Sequence, residues 1–332
     1  MEKIGQIYVF DRANIPSCEL RINHSSRTRS LEEECLGLYD QTLSEDIRDR
    51  AASYGNHESG QFDGKLLCLR GFKVNQDNSR TLYLCDVNYS TYQALKARLD
   101  KEPEHKHTLT RTAPIIGIAE TSDGMLILGH RSTQHMPDRY LPPAGFTDHN
   151  GQIDETYFAH LAKEEIEEEV GVNVEPNSIR YIGLTAGDDS RNNTITLYTH
   201  LPFDMESVER TFSELNQKLV ENREGIEHKH LIYLPSDLES VKHFLCGNYT
   251  GNLNPLRDIR FDQGICVSGP EEILGKQYKQ IGNGMASLLC FIQNRVSHEA
   301  YSSLVQEIEA SGIVEGVEHL DINEKLGLCT IR

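Results

Sequence analysis

Glu164-Glu165-Ile166-Glu167-Glu168-Glu169-Val170-Gly171-Val172 is the stretch on which the reading of this chain turns. It closes a helical pattern over residues 154–170, in which Ala159, Ala162, Ile166 and Val170 are spaced three, four and four apart. That spacing lays the four side chains in one apolar stripe along a helix. At about 100° per residue, Glu165, Glu168 and Glu169 fall within an arc of about 100° beside the stripe. Gly171 then stops the helix, because glycine accepts the left-handed conformation common at a helix C-terminus. One face can therefore pack on a sheet while three carboxylates converge next to it. Like charges on one helix face are destabilising unless something compensates. A hard divalent cation is one compensation, and Mg2+ takes carboxylate oxygens while keeping waters and substrate phosphates in its shell. The alternative is an acidic face turned to water, as acidic chains often have.

Working outward, residues 113–119 and 124–131 read as paired strands joined by a Ser122-Asp123-Gly124 turn. Pro142-Pro143-Ala144-Gly145 breaks the strand pattern before the acidic helix. Beyond the helix, residues 179–184, 194–201 and 230–234 read as strands and 213–222 as a helix. This alternation implies an α/β sandwich. Upstream, residues 4–10, 65–74 and 81–87 read as strands, and 30–52 as an acidic helix. Another helix is expected from Asn88 through Leu99, capped by Ser90 or Thr91. The polar, Pro-bearing run from Lys101 to His107 marks a boundary. The expected organisation is a smaller N-terminal α+β domain over 1–107, an α/β domain over 108–245, and a C-terminal extension over 246–332 packing on it. The extension carries an apolar helix at 284–295 and a second candidate at 300–310.

At roughly 150 residues per domain, 332 residues fit about two domains. With 38% hydrophobic and 25% charged residues, the chain can build a packed core. Lys plus Arg is 33 against 51 Asp plus Glu, a net charge of −18 that repels nucleic-acid backbone and anionic lipid. No DNA and no membrane partner is expected; a local basic pocket for one small anion fits. No stretch approaches the roughly 18 apolar residues of a membrane span. The opening residues lack the layout of a signal peptide, and a cytoplasmic location is expected. The eight cysteines are scattered, without a CxxC pair, and are expected to be buried free thiols rather than zinc ligands. There is no Trp, so stacking on a nucleobase would use Tyr140, Phe146 or Tyr198. Asp188-Asp189 and Arg191-Asn192-Asn193 read as a hairpin loop, and His105, His107, His228 and His230 as solvated or linker residues.

The acidic helix and its surroundings resemble the Nudix box, G-x5-E-x7-R-E-U-x-E-E-x-G-U, with U a bulky apolar residue. Glu165-Ile166-x-Glu168-Glu169-x-Gly171-Val172 matches its closing half without a gap, and Pro143-Ala144-Gly145 supplies the leading glycine. Arg131 stands where these proteins often end the second strand with an Arg. The likeness covers roughly residues 112–240. Two departures stand out. Glu164 replaces the consensus Arg, with Lys163 one place earlier. Ten residues, Phe146 to Glu155, separate Gly145 from Thr156, which occupies the position of the first consensus Glu. A Lys163–Glu155 pair is the candidate substitute brace.

The resemblance implies a Nudix-type α/β/α sandwich with a mixed sheet. It also implies a Mg2+-dependent hydrolase, with Mn2+ as an alternative metal, acting on a nucleoside diphosphate linked to another moiety. On that basis Glu165, Glu168 and Glu169 hold the metal, and Glu168 or Glu169 shares duty as general base. A base from a downstream loop is the other option, with Glu224 or, preferably, Glu227. Arg131 and Arg139 flank the turn and would hold phosphate oxygens beside Gly145. Segments starting at Asn88 and Ile281, together with Asn294-Arg295, are similar to landmarks of the UDP-glucose/UDP-galactose diphosphatase branch. That favours a nucleotide sugar as substrate, giving NMP plus a sugar phosphate. The alternatives are an ADP-ribose or dinucleotide pyrophosphatase, less readily an isoprenoid diphosphate isomerase, and a catalytically silent nucleotide-binding protein motivated by Glu164. The partner in each enzymatic reading is a small-molecule substrate. The extra domain would close over it or build a homodimer.

Overall fold

All six residues from Ile115 to Glu120 are buried, on both sides of the strand they form. Such a strand lies inside a sheet that is covered on both faces. The computed structural model describes residues 2–4, 7–25, 64–93, 112–131, 139–149, 153–187, 193–222, 228–246, 279–280 and 282–310. Among these residues the main sheet contains β1 (Glu2–Ile4), β2 (Ile7–Pro16), β6 (Ile115–Glu120), β7 (Met125–Arg131) and β8 (Arg139–Leu141). It also contains β9 (Ala144–Gly145), β11 (Arg180–Gly187), β12 (Asn193–His200), β13 (His228–Pro235) and β14 (Lys279–Gln280). The strand order is β1-β2-β11-β12-β6-β7-β8-β14, with β9 also on β6 and β13 also on β7. The β12–β6 and β14–β8 pairs are parallel and the other pairs antiparallel, so the sheet is mixed.

A second, four-stranded sheet runs β10 (Asp148–His149), β4 (Lys65–Val74), β5 (Arg80–Asn88), β3 (Leu20–Ser25). The helices are α1 (Tyr157–Val170), α2 (Met205–Asn222), α3 (Leu238–Leu245), α4 (Gly282–Gln293) and α5 (His298–Ala310). One core joins both sheets to α1 and α2 through Leu67, Leu82, Ile115, Phe158, Ile166 and Phe212. The other lies on the opposite face of the main sheet, where Ile116, Ile118 and Leu128 meet Phe244, Leu289 and Leu304 of α3, α4 and α5. The class is mixed α/β. The tail helices pack on the main sheet. Cys290 of α4 comes so close to β11 that a Cβ at Gly183 would lie 2.6 Å from its Sγ.

Several boundaries differ from the sequence reading for local reasons. β2 extends to Pro16 and pairs with β11, so this N-terminal strand belongs to the main sheet. Residues 89–93 begin a helix just after Asn88, and Ser90 and Thr91 are buried within it rather than capping it. Helix α1 starts at Tyr157, three residues later than expected. Asp154 accepts from the Thr156 N–H at 2.8 Å and its hydroxyl at 2.7 Å, forming a side-chain turn that precedes the helix. Helix α2 starts eight residues early, at Met205, with Asp204 accepting from the Ser207 N–H at 2.9 Å as its cap. The expected helix at 30–52 and the boundary at 101–107 lie outside the described residues. Cys68, Cys85, Cys246 and Cys290 are buried and outside any disulfide among the described residues. Among the described residues no helix is long and apolar enough to cross a membrane.

Arg295, just beyond α4, locks the tail to the end of β6. Its Nη1 donates to Glu120 Oε1 at 2.7 Å, its Nη2 donates to Glu120 Oε2 and, at 2.9 Å, to the Tyr198 hydroxyl. Tyr198 donates to Glu120 Oε2 at 2.6 Å. Burial pushes the Glu120 carboxyl up, but hydrogen bonds from Arg295, Tyr198 and Ser236, with the guanidinium charge, outweigh it and hold the group below its ordinary range. Burial, then the bond to Glu120 and its charge, push the Tyr198 phenol up to about 12. A carboxyl that binds its proton less readily when folded stabilises the fold at pH above its unfolded value of about 4.3 and loses that contribution as pH falls further. The urea midpoint of Glu120→Gln should therefore lie well below wild type at pH 7, and the gap should shrink as pH drops below about 4. A gap independent of pH would show that the charge is irrelevant.

Candidate functional site

Helix α1 reaches the site because its apolar stripe docks on β6. Ile166 packs over Gly117, whose N–H donates to Pro143 O at 2.8 Å. That bond, with the pairing of Ile115 to Gly145 and Ile116 to Ala144, pins the Pro143–Gly145 turn between β6 and α1. Gly171 ends α1 with φ 82°, and its N–H returns to Glu167 O at 3.0 Å. The helix is thereby fixed in both rotation and length.

The carboxylates now have addresses. Glu169 is buried, and its Oε2 accepts from the Ala144 N–H at 3.3 Å. Glu165, one turn earlier, lies directly over Gly145, where a Cβ would fall 1.7 Å from its Oε1. Both therefore face β9. Glu168 is exposed to solvent on the same helix. Among the described residues, no three His, Cys, Asp or Glu side chains stand around a common point as a finished metal site. The donor chemistry still suits a hard cation: three carboxylates on successive turns, one seated where only a glycine leaves room. Closing round an ion would require the exposed Glu168 and the half-buried Glu165 to turn their carboxylates.

Glu169 has a partner that the sequence reading missed. His228 Nε2 lies 2.8 Å from its Oε2. With Glu169 ionised, its oxygens only accept, and Nε2 is then the donor of this bond. His228 and His230 are buried, which corrects the expectation of solvated or linker histidines. His230 lies 4.4 Å from His130, ring to ring, and His130 stacks on Tyr140 at 4.8 Å. The alternating His228-x-His230 at a strand start was the available signal; in a strand it reports burial as readily as exposure.

The remaining candidates separate. Arg131 ends β7 and Arg139 opens β8, so both backbones border the site; their side chains lie outside the described residues. Glu224, Glu227, Asp188, Asp189, Arg191, Asn192, His105 and His107 also lie outside them. Asn193 is buried at the start of β12. Tyr140 is buried under His130, and Tyr198 is tied to Glu120 and Arg295. Phe146, next to Gly145, is exposed and meets Tyr92 edge-on at 6.5 Å. Lys163 does not brace Glu155. It donates to Glu167 at 2.6 Å, four residues on, because the exposed helix face offers that carboxylate at the natural i,i+4 spacing. The hydrogen bond to Glu167, then its charge, raises the Lys163 pKa despite some desolvation. A scan of protein-family models and a search of curated proteins both find no match to this chain.

Proposed function

We propose that this chain is a Nudix-type, Mg2+-dependent hydrolase of nucleoside diphosphates linked to another moiety, with a nucleotide sugar as the favoured substrate. The observation that carries the reading is the placement of Glu165 and Glu169 on the backbone of β9, with Glu168 on the adjoining solvent-facing turn. These three residues would hold the metal. Mg2+ bound there would neutralise diphosphate charge and lower the pKa of a bound water. The protein's own part is to orient the substrate and manage the proton. Glu168, exposed to solvent, would take the proton of the attacking water. The exposed Phe146 offers an apolar edge to a base or sugar. Arg131 and Arg139, at the ends of β7 and β8, would supply guanidinium groups to the phosphate oxygens.

A second reading, a nucleotide-binding protein without turnover, is favoured by one observation: Glu169 Oε2 already accepts two hydrogen bonds. Incubation with Mg2+ and a panel of UDP-glucose, ADP-ribose, NADH and diadenosine polyphosphates, with products identified by mass, separates the readings. UMP plus glucose 1-phosphate, lost with EDTA, supports the nucleotide-sugar assignment. AMP plus a sugar phosphate would move it to the ADP-ribose class. Saturable nucleotide binding with no product would favour the silent protein.

Gly145→Ala tests the seat of Glu165. A methyl there overlaps the carboxylate, which is the far end of a flexible side chain, so the fold should survive while the carboxylate moves. Misplacement by about 1 Å costs on the order of 100-fold in rate. Turnover should fall by that order with a urea midpoint near wild type; unchanged turnover would remove Glu165 from the site.

A further inference from the structure

Side chains alternate along a strand, so His228 and His230 should share one face of β13. They do not. Leu231 and Tyr233 point into the core shared with α1, and Ile232 and Leu234 into the opposite one. His230 follows the second set and lies against His130, with ring centroids 4.4 Å apart. His228 breaks the alternation because the register against β7 slips: His230 pairs with His130, yet His228 pairs with Arg131. The extra residue is a bulge, a device that re-aims a side chain. It turns His228 to the α1 side, over Gly129, where a Cβ would lie 2.5 Å from the ring. There its Nε2–H meets Glu169 Oε2 at 2.8 Å, with the two side chains 2% and 4% exposed. The slipped register, the bare α-carbon beneath the ring and the buried donor all serve one contact.

We propose that His228 is a positioning residue that fixes the Glu169 carboxylate toward β9 for binding of a divalent cation. The inference rests on the reading of Glu165, Glu168 and Glu169 as a cation site. Two donors, the Ala144 N–H and His228 Nε2–H, hold the same oxygen of Glu169. The side chain cannot turn away without breaking both bonds at once, one of them from a buried histidine. Glu169 is thereby set in place before the ion arrives. Partners of this kind, outside the ligands themselves, typically govern metal affinity by about 10- to 100-fold.

The test is a Mn2+ titration of the full chain, followed by electron paramagnetic resonance, for wild type, Glu169→Gln, His228→Leu and His228→Gln. Glutamine keeps an N–H at comparable reach; leucine does not. Wild type should bind Mn2+ at a site that Glu169→Gln abolishes. His228→Leu should bind about 10- to 100-fold more weakly, and His228→Gln within about threefold of wild type. Wild-type affinity in His228→Leu would overturn the inference while leaving the cation site standing. Equal loss in the leucine and glutamine variants would overturn it too, since packing rather than the donor would then be responsible. Absence of a Mn2+ site sensitive to Glu169→Gln would overturn the cation reading, and the role of His228 with it.

Discussion

Glu168→Gln should lower Mg2+-dependent turnover by about 10²- to 10⁴-fold, the range seen when a positioned acid–base group is lost. The fold should be untouched. Glu168 is exposed, so its replacement by a near-isostere leaves nothing buried unsatisfied and should shift stability by no more than about 0.5 kcal/mol. That separation makes Glu168 a cleaner probe than Glu169, whose substitution also strips a buried histidine of its acceptor. Glu164→Gln is the natural control. It removes the same charge from the same helix, also at an exposed position, yet Glu164 is not one of the three carboxylates proposed to hold the cation. If α1 were only an acidic face relieved by losing a charge, the two variants would behave alike. A cation site requires them to differ: Glu168→Gln inactive, Glu164→Gln close to wild type. Equal activities, measured with the substrate that the panel identifies, would remove Glu168 from the cation site and from proton transfer.

The helix was legible because its information is local. The stripe of Ala159, Ala162, Ile166 and Val170 and the stop at Gly171 are properties of consecutive turns, and all four apolar residues are buried. Gly145 was singled out through a resemblance; the carboxylate lying on its α-carbon needed the fold. His228 was not legible. A bulge of one residue inverts which face a side chain takes, and nothing in the composition of His228-Lys229-His230 announces it. The same holds for the pairing of β2, whose strand was read but whose partner lies about 170 residues away and gives no short-range signal. Arg295 was singled out only as part of a resemblance. Its bond to Glu120, across more than half the chain, adds a polar tie to the apolar core that seats the tail on the main sheet.

The largest effect on stability is expected from Arg80→Ala. Arg80, on β5 of the second sheet, donates from Nε to Asp11 Oδ2 at 3.0 Å and from Nη2 to Asp11 Oδ1 at 3.3 Å. Asp11 is on β2 of the main sheet, and it also accepts from the Tyr181 hydroxyl of β11 at 3.0 Å. Both charged side chains are buried, at 7% and 8% exposure. Burying the pair is not itself a large gain, because desolvation offsets much of the attraction. Removing one partner is different. It strands a carboxylate between two sheets, at a cost of about 3–5 kcal/mol, against a total stability of about 5–15 kcal/mol for a typical domain. Urea unfolding should register that loss. Asp11→Leu combined with Arg80→Leu removes both charges and should recover part of it, leaving the buried Tyr181 hydroxyl short of its acceptor at about 1–3 kcal/mol. Adding Tyr181→Phe should then recover most of the remainder. This ordering distinguishes a stranded charge from lost packing, since packing loss would grow with each truncation rather than reverse. A single Arg80→Ala variant within about 1 kcal/mol of wild type would mean that water reaches Asp11, and that the shared apolar core and the backbone bond from Ala113 N–H to Leu67 O suffice to hold the two sheets together.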